Sequence, residues 1–392
     1  MVKECTVIVK KGREKPILHG HPWVFSGAIR EISHCRVEGE VCTILDEDGR
    51  FLARGYVNRR SGIVVRILTT KNISVDGNFI KKSIDTADNL RVRTMIPLPG
   101  AYRVVNAEGD FLPGLVVDRY GGGIVVQCST AGMQRLKGLV VQGLVALLQP
   151  EFIYEKSRSS ESEKQIMDLA DSLLFGRMPE RILIEEEGAR FLVDIPGGQK
   201  TGFFLDQRPN RLMLAEIARD MEILNCFSYT GGFGVHALRG GAKSVLNVDV
   251  SETALEHAAE NARLNDLDMS RFACVREDVF SFLRGERRKW DAVILDPPKF
   301  ARARGELQRA ARGYKDINLC AMKLIRPGGM LMTFSCSSHV TEDLFQKIVF
   351  GAAADAARQV QLLKRLHAGA DHPVNLAHRE GEYLKGMLLR VL

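Results

Sequence analysis

The sequence lacks the features that mark membrane-spanning and secreted proteins. It contains no apolar run of about 18 residues or more, which is the length that a transmembrane helix needs. Its N-terminal residues, Met1 to Cys5, do not show the succession of basic, apolar and small residues that makes a signal peptide. We therefore expect a cytoplasmic protein without a membrane segment.

Cysteines are few, and none of the eight belongs to a C-x-x-C pair. Histidines at metal-ligand spacing from them are also missing, so the sequence predicts neither a metal site nor a disulfide framework. Most of these thiols are expected to be reduced and buried as small hydrophobic side chains. Cys336 is the one for which the sequence around it predicts chemistry.

Acidic residues are the scarcer charge, and the imbalance is uneven along the chain. The whole chain carries a net charge of +7, while residues 1–71 alone hold thirteen Lys or Arg and eight Asp or Glu, a net +5. Such clustering favours a polyanionic partner, most simply a nucleic acid. A solvated basic face with no partner is the alternative.

The 392 residues are enough for two or three domains, and the first is predicted to be a small β-barrel over residues 1–71. Short runs rich in β-branched residues, divided by turn residues, predict its strands at 6–9, 41–45, 52–57 and 63–67. Within it, His19 to Gly27 reads His-Gly-His-Pro-Trp-Val-Phe-Ser-Gly. This string resembles the opening of the PUA RNA-binding domain found in a family of ribosomal RNA methyltransferases. Trp23 fits either an RNA contact or core packing. The predicted RNA contacts of this domain are Lys10, Lys11, Arg13, Trp23, Arg59 and Arg60.

Residues 72–184 mix helical and strand patterns and are predicted to form a central α/β domain. Helices are expected at 79–91 and 133–148, and strands at 102–105, 115–118, 124–128 and 152–156. No catalytic constellation stands out here, so we expect a domain that shapes the substrate site or acts as a spacer.

The remaining residues, 185–392, are predicted to form a doubly wound domain, entered through a hairpin at 182–195. Apolar strands alternate with helical stretches, which is typical of a parallel sheet with right-handed crossovers. The strands are predicted at 222–226, 244–248, 273–276, 292–295 and 330–334, with a further pair near the C-terminus.

The first strand of this domain opens onto a glycine-rich loop. The loop reads Phe-Ser-Tyr-Thr-Gly-Gly-Phe-Gly from Phe227 to Gly234, and a helical stretch follows. Glycines let the backbone pass close to a ligand, although the string is not a G-x-G-x-x-G fingerprint. The loop residues predicted to contact a nucleotide cofactor are Phe227, Tyr229, Thr230 and Gly231.

Two acidic residues after the next strands strengthen the cofactor prediction. Asp249 ends the second strand eighteen residues after Gly231, where a carboxylate can accept hydrogen bonds from both ribose hydroxyls. Such a carboxylate is shared by sites for NAD and for S-adenosylmethionine. Asp278, after the third strand, is predicted either to hold an adenine amino group or to cap the following helix.

The segment Asp296 to Phe300 separates these two cofactors. It reads Asp-Pro-Pro-Lys-Phe and follows a buried strand. Dehydrogenases have no use for a rigid Asp-Pro-Pro turn there, whereas many amino and base methyltransferases place it beside the transferable methyl group. Paired prolines fix the backbone, so Asp296 is expected to point at both the base and the cofactor, S-adenosyl-L-methionine. A purely structural turn is the alternative.

Forty residues further on, Cys336 follows the next strand within Ser335-Cys336-Ser337-Ser338. Carbon 5 of cytosine is too weakly nucleophilic to take a methyl group unless a thiolate first adds at carbon 6. In this hypothesis Cys336 is the nucleophile, and Asp296 hydrogen-bonds ring nitrogen 3 and the amino group. An inert buried cysteine is the alternative.

Taken together, these strings resemble the ribosomal RNA large subunit methyltransferase I family. A further shared string, Gln199 to Arg208, reads Gln-Lys-Thr-Gly-Phe-Phe-Leu-Asp-Gln-Arg. The resemblance implies an α/β chain with an N-terminal PUA-like domain, a central α+β domain and a C-terminal Rossmann-like class I methyltransferase domain. It also implies formation of 5-methylcytidine in 23S rRNA, free or in a large-subunit assembly intermediate. The residues that it implies at the cofactor pocket are Lys200, Thr201, Gly202, Phe203 and Arg208.

Three alternatives stay open at this point. The enzyme is either a cytosine carbon methyltransferase or a nitrogen methyltransferase acting on an rRNA guanine, in which case Cys336 is structural. From another class, the chain fits an RNA-binding assembly factor without catalysis, and a homodimer is also left open. In each case RNA phosphates are expected at basic residues around the Asp-Pro-Pro turn, namely Lys299, Arg302, Arg304, Arg309, Arg312 and Lys315.

Overall fold

The computed structural model describes residues 4–157, 171–301 and 304–392. The chain divides into two compact units. The first unit comprises Met1–Ile184, Val193–Leu205 and Ala370–Gly381, and the second unit comprises Glu185–Leu192, Asp206–Gly369 and Glu382–Leu392. The predicted domain boundaries at residues 71 and 184 stay predictions, since the division into units groups two later segments with the N-terminal half.

The first sheet of the first unit has six strands. They are β1 Thr6–Val9, β2 Trp23–Phe25, β3 Ile29–Ser33, β4 Val41–Leu45, β5 Phe51–Val57 and β6 Ile63–Thr69. Their order is β2-β6-β5-β4-β1-β3, and only the β1–β4 pair is parallel. The end strands β2 and β3 are not neighbours in this order, so the sheet does not close on itself and the predicted barrel is a half-barrel. The sequence missed both strands, since one has three residues and the other carries charges without clear alternation.

The second sheet of the first unit has five strands in the order β11-β10-β9-β8-β7. These are β7 Ala101–Asn106, β8 Leu115–Tyr120, β9 Gly123–Cys128, β10 Phe152–Glu155 and β11 Ser172–Gly176. Short helix α1, Lys15–Leu18, and the long helices α2, Gly77–Thr94, and α3, Ala131–Leu148, belong to the same unit. Asp76 and Thr130 cap the long helices by accepting hydrogen bonds from backbone N–H groups, which stabilises their first turns. Both helices were predicted.

A network of buried charges ties the later segments to this unit. The buried guanidinium of Arg91 pairs with Asp110 at 2.6 Å and donates to the carbonyl oxygen of Asp371 at 2.8 Å. The hydroxyl of Thr201 donates to Asp118 at 2.6 Å. Through these hydrogen bonds, Thr201 and Asp371 attach residues 193–205 and 370–381 to the buried charges of Asp118 and Arg91.

The predicted hairpin is present as β12, Ile182–Glu186, and β13, Ala189–Val193, and its residues 185–192 belong to the second unit. The strands that follow are β14 Glu222–Cys226, β15 Ser244–Asp249, β16 Phe272–Arg276, β17 Trp290–Leu295, β18 Ile325–Ser335, β19 Val360–Leu366 and β20 Lys385–Val391. The helices are α4 Arg208–Ile217, α5 Gly232–Arg239, α6 Glu252–Leu264, α7 Val279–Gly285, α8 Leu307–Leu324 and α9 Glu342–Asp355. The predicted alternation of strands and helices is confirmed.

The sheet of the second unit has the order β16-β15-β14-β17-β18-β20-β19. Its first five strands are parallel, as predicted, but β20 runs antiparallel to both neighbours. Parallel neighbours need a helical crossover between them. No α-helix lies between β19 and β20 in the structure, which therefore pair as an antiparallel couple.

The strand order reverses between β14 and β17. Cys226 and Leu295, the last residues of these two strands, are paired in register. Ligands of doubly wound sheets bind beyond the carboxyl ends of the strands at this reversal. None of the described helices is long and apolar enough to cross a membrane.

Candidate active site

The Asp-Pro-Pro turn and Cys336 lie side by side at the carboxyl edge of the sheet in the second unit. Leu295, which ends β17, pairs with Thr333 of β18, so the segments after both strands leave the sheet together. The Sγ atom of Cys336 lies 3.8 Å from the carbonyl oxygen of Pro297. Asp296 and Cys336 are both half-buried. The two motifs that the sequence singled out therefore meet in space.

Aromatic packing holds the Asp-Pro-Pro turn. The Phe300 ring centroid lies 4.7 Å from that of Tyr314 and 5.7 Å from that of Phe280. A Cβ at Gly313 would lie 3.4 Å from the Phe300 ring, so the ring packs directly against the backbone of helix α8. Phe300 thus anchors the turn to helix α8, while the buried Pro297 restricts the backbone beside Asp296.

The serines on either side of Cys336 are committed to structural hydrogen bonds. Ser335 donates to the hydroxyl oxygen of Tyr314 at 3.0 Å, and Ser337 donates to the carbonyl oxygen of Ala301 at 2.7 Å. Both serines are fully buried, whereas Cys336 keeps partial exposure. The local geometry therefore fixes the backbone around Cys336 and leaves its thiol more accessible than the hydroxyl groups of Ser335 and Ser337.

Lys385 is a charged neighbour that the sequence did not point to. Its ammonium group donates to the carbonyl oxygen of Ser337 at 2.8 Å, and its side chain is buried. Burial lowers the pKa of Lys385 to about 8, while a thiolate at Cys336 acts in the opposite direction. Burial also raises the pKa of Tyr314, so that phenol stays neutral.

The glycine loop after β14 has the tight geometry expected of a nucleotide-binding turn. Phe227, Tyr229 and Gly231 have φ of 57°, 46° and 75°, all in the left-handed region. A Cβ on Gly231 would lie 2.8 Å from the Cβ of Ala258, so only glycine fits at this approach to helix α6. Asn261 donates to the carbonyl oxygen of Thr230 at 2.9 Å and closes the loop from the same helix.

Asp249 organises the loop from the end of β15. Its two carboxylate oxygens accept hydrogen bonds from the backbone N–H of Tyr229 at 2.8 Å and of Ser251 at 3.0 Å. Each oxygen retains a further acceptor position, which suits a ribose diol. The buried Oγ of Ser228 and Oδ1 of Asn225 have no hydrogen-bond partner among the described residues. Buried polar atoms are normally paired, so these orphans and the Asp249 carboxylate fit a polar nucleoside ligand here.

Asp278 caps helix α7. Its Oδ1 atom accepts from the backbone N–H and the hydroxyl of Ser281, at 3.0 and 3.1 Å. The capping role is therefore confirmed. An adenine contact through the second oxygen stays a prediction, and the residue is exposed.

The implied cofactor segment from Lys200 to Phe203 belongs to the first unit. Thr201 is buried, and its hydroxyl bonds with Asp118 and with Tyr120, the latter at 2.8 Å. The backbone N–H of Phe203 donates to the Tyr120 hydroxyl at 3.2 Å. Lys200 is exposed and lies 4.3 Å from the ring centroid of Phe204. These bonds show what anchors the segment, and its cofactor contacts, including that of Gly202, stay predictions.

Arg208, in the second unit, belongs to a buried charge cluster around Glu186. Its Nε lies 3.4 Å from Glu186, which also pairs with Arg211 at 2.6 Å and contacts His236 at 3.1 Å. Burial alone would raise the pKa of Glu186, but Arg211 and His236 outweigh it and hold that pKa well below its usual range. Sequence reasoning missed this cluster because its members come from separate segments. A cofactor contact by Arg208 stays a prediction.

The basic residues predicted to contact RNA in the N-terminal half-barrel are exposed, namely Lys10, Lys11, Arg13, Arg59 and Arg60. Lys10 donates to the carbonyl oxygen of Gly27 at 3.1 Å, and Arg59 pairs with Glu38 at 2.8 Å. The side chains of three others form no hydrogen bond or ion pair with any described residue: Lys11, Arg13 and Arg60. Cations without a partner on their own chain are available to phosphates.

Trp23 is packed within the first unit. Its indole N–H donates to Glu108 at 2.9 Å, and its ring centroid lies 4.3 Å from that of His378. These contacts support the packing alternative, and an additional RNA contact stays a prediction. Neither partner could be predicted, because Glu108 and His378 are distant from Trp23 along the chain.

Around the Asp-Pro-Pro turn, Lys299 is exposed. Arg302 lies outside the described residues. Arg304 begins a 3-10 turn that ends at Glu306, and its side chain is outside the described part as well. Lys315 forms an ion pair with Asp355 at 2.8 Å, which leaves Arg309 and Arg312 as exposed cations of helix α8.

Two family models match the chain. Residues 161–389 match the model described as S-adenosylmethionine-dependent methyltransferase, and residues 7–70 match the model described as PUA-like domain. Among solved structures, a methyltransferase complexed with SAH has a TM-score of 0.86 at 23% identity, covering 98% of this chain and 99% of that chain. An S-adenosylmethionine-dependent methyltransferase from Streptococcus mutans has a TM-score of 0.84 at 23% identity with the same coverage. These structural likenesses show the fold.

Curated relatives are similar over their full length. The ribosomal RNA large subunit methyltransferase I of Tolumonas auensis is 44% identical over 394 residues, which covers 99% of each chain. The protein of the same name from Aeromonas salmonicida is 44% identical over 391 residues, which covers 98% of each. This chain therefore belongs to the ribosomal RNA large subunit methyltransferase I family and is an S-adenosylmethionine-dependent methyltransferase.

Proposed function

We propose that the chain methylates carbon 5 of a cytidine in 23S rRNA, with Cys336 as the covalent nucleophile. The observation that carries this proposal is the contact of the Cys336 Sγ with the turn that presents Asp296, 3.8 Å from the carbonyl oxygen of Pro297. A nitrogen methyltransferase needs the acidic turn but has no use for an accessible thiol beside it. The relatives named ribosomal RNA large subunit methyltransferase I support ribosomal RNA as the substrate.

The thiolate of Cys336 makes carbon 5 reactive. It adds to carbon 6 of the cytosine, so that an S–C6 bond forms and the electron pair of the C5–C6 double bond becomes available at carbon 5. S-adenosyl-L-methionine supplies the methyl group when it is bound. The proton on carbon 5 then leaves to a base, the C5–C6 double bond re-forms, and the S–C6 bond breaks to return the thiolate.

Asp296 selects and polarises the base. Its carboxylate accepts a hydrogen bond from the exocyclic amino group. As the thiolate adds, ring nitrogen 3 takes up a proton from solvent and the new N–H donates to the second carboxylate oxygen; nitrogen 3 releases this proton again after the methyl transfer. Uracil presents a carbonyl oxygen at the position of that amino group, and this oxygen would repel the carboxylate. The rigid Pro297-Pro298 backbone, anchored through Phe300, keeps the carboxylate in this orientation.

The second unit supplies the residues that would hold S-adenosyl-L-methionine. Asp249 would bind the ribose hydroxyls, the glycine loop would allow close approach of the backbone, and Asp278 would hold the adenine amino group. The buried Ser228 hydroxyl, which has no hydrogen-bond partner among the described residues, would provide a further polar contact in the same loop. The exposed Lys11, Arg13 and Arg60 are proposed to hold rRNA phosphates. Assembly into a homodimer stays a prediction for sedimentation velocity to test.

RNA carrying 5-fluorocytidine tests the covalent step. Fluorine at carbon 5 cannot leave as a proton does, so the S–C6 bond persists and the enzyme–RNA adduct is stable in denaturing gels. We expect an adduct with the wild-type chain and none with Cys336→Ala. Cys320→Ala removes another half-buried thiol and should leave the adduct intact. Full methylation activity in Cys336→Ala would instead favour nitrogen methylation of a guanine.

A further inference from the structure

We propose that Lys385 is a positioning residue that keeps Cys336 ionised, because its buried ammonium group is held at the carbonyl oxygen of Ser337, the residue next to the thiol, where a positive charge stabilises the thiolate. The proposal deepens the proposed function and rests on Cys336 being its nucleophile. Lys385 acts through the sulfur atom and needs no contact with RNA or cofactor.

Strand pairing fixes Lys385 next to the Cys336 segment. Strand β20 runs antiparallel to β18, and Lys385 is paired in register with Ser335. Its Nζ atom reaches past the end of β18 and donates to the carbonyl oxygen of Ser337 at 2.8 Å. The lysine therefore contacts the residues on both sides of Cys336, one through the sheet and one through its side chain.

The burial of Lys385 calls for a nearby negative charge. The residue is 5% exposed, and no carboxylate oxygen of a described residue lies within 4.0 Å of its ammonium group. An ammonium ion has three donors, and the carbonyl oxygen of Ser337 uses one of them. Burying a charge is costly unless it is paired, and a thiolate at Cys336, which lies between the two residues that Lys385 contacts, would provide that pairing.

The other charged and titratable groups that face this pair do not replace the lysine. They are Asp296 and Lys299 on the turn after β17, Tyr314 on α8, Glu342 on α9, and Glu382 before β20. Asp296, Glu342 and Glu382 carry negative charge and disfavour a thiolate. Lys299 is exposed, so water screens it. Lys385 is thus the buried cation that offsets the carboxylates.

The lysine acts in its protonated form at neutral pH. Its pKa of about 8 keeps the amine mostly cationic at neutral pH. When Cys336 ionises, its proton goes to solvent and the ammonium group remains as the counter-ion. This separates the role of Lys385 from that of a general base, which would have to be neutral to accept a proton.

The pH dependence of Cys336 alkylation tests the proposal without RNA or cofactor. The rate of iodoacetamide labelling is followed by mass spectrometry of the Cys336 peptide from pH 5 to 10, because the thiolate is the species that reacts. We expect Lys385→Met to raise the midpoint of this profile by about one unit or more, as loss of a close opposite charge does. Lys385→Arg keeps the charge and should bring the midpoint back toward wild type.

Lys299→Met is the matched control, since it removes an exposed cation of the same neighbourhood. A midpoint that Lys385→Met leaves unchanged, with the melting temperature preserved, would overturn the proposal. So would an equal shift in both variants, because any nearby charge would then suffice.

A second measurement covers the case in which Lys385→Met fails to fold. Coupling between two titrating groups is reciprocal. Cys336→Ser should therefore lower the pKa of Lys385 by as much as loss of the Lys385 charge raises the pKa of Cys336. NMR of lysine labelled with 13C at Cε follows that titration in the wild-type chain and in Cys336→Ser. An identical Lys385 titration in both would sink the idea. Neither readout depends on methylation, so failure of 5-fluorocytidine trapping would reject the proposed function and leave this result standing.

Discussion

The carboxylate of Asp249 accepts a hydrogen bond from the backbone N–H of Tyr229 at 2.8 Å. This bond joins the end of β15 to the glycine loop that follows β14. Tyr229 has a left-handed backbone, which is uncommon for a residue with a side chain, and the bond helps to hold it there. One carboxylate therefore shapes the loop and, in the proposed function, binds the ribose.

Asp249→Ala should weaken S-adenosylmethionine binding by about 10- to 100-fold, since a hydrogen bond to a charged group contributes about 1.5–3 kcal/mol. The loop also loses the acceptor for Tyr229 and Ser251. Isothermal titration calorimetry measures the change. Asp268→Ala, which removes an exposed aspartate that caps a 3-10 turn, is the control and should bind normally. Wild-type affinity in Asp249→Ala would place the ribose elsewhere.

Affinity for rRNA should depend steeply on salt and on the unpaired cations of the half-barrel. Arg60→Ala and Lys11→Ala should each weaken RNA binding and reduce the slope of log K against log salt by about 0.7 to 0.9, as one lost phosphate contact does. Lys364→Ala makes the same charge change on an exposed residue of β19 and should leave the slope unaltered. Filter binding over about 50 to 300 mM salt, where the effect of counterion release is large, gives these slopes. A slope that none of the variants changes would remove this surface from the interface.

The sequence predicted the parts of the site that lie in single continuous strings. Strand β14, the glycine loop and the Asp296 and Cys336 segments were found because a buried apolar run ends in each case at a distinctive residue. Long-range partners left no such signal. Lys385 follows Tyr-Leu in what reads as an ordinary strand, and its burial depends on antiparallel pairing with β18. The antiparallel direction of β20 was missed for the same reason.

The Glu186 cluster gives a prediction for stability. Glu186→Gln should lower the free energy of unfolding by about 3–5 kcal/mol at pH 7, because it leaves Arg211 and Arg208 buried without their counter-ion. Glu216→Gln on the same helix as Arg211 changes a carboxylate outside the cluster and should cost little. Urea unfolding measures both. A loss no larger than in Glu216→Gln would show that the cluster does not stabilise the fold.

The same cluster predicts how stability depends on pH. The pKa of Glu186 is lower in the folded chain than its ordinary value of 4.5. Its contribution is therefore fully present above pH 4.5 and is lost as the pH falls toward the folded pKa. Below pH 4.5, the free energy of unfolding of the wild-type chain should decrease more steeply than that of Glu186→Gln. Urea unfolding at pH 7, 5 and 4 measures both. Parallel curves would contradict the assignment.

Asp296→Asn separates catalysis from cofactor binding. The amide keeps the shape of the side chain, but only its oxygen can accept a hydrogen bond. The protonated ring nitrogen 3 of the adduct therefore loses its acceptor. The single-turnover rate of methyl transfer should fall by about 10²- to 10⁴-fold, as it does on loss of a general acid–base group. The affinity for S-adenosylmethionine should change far less, because Asp249 and the glycine loop are intact. Rapid-quench measurements with saturating RNA give the rate, and calorimetry gives the affinity.

Equal losses in rate and affinity would mean that Asp296 serves mainly to hold the cofactor. The selection of cytosine would then have to come from another residue.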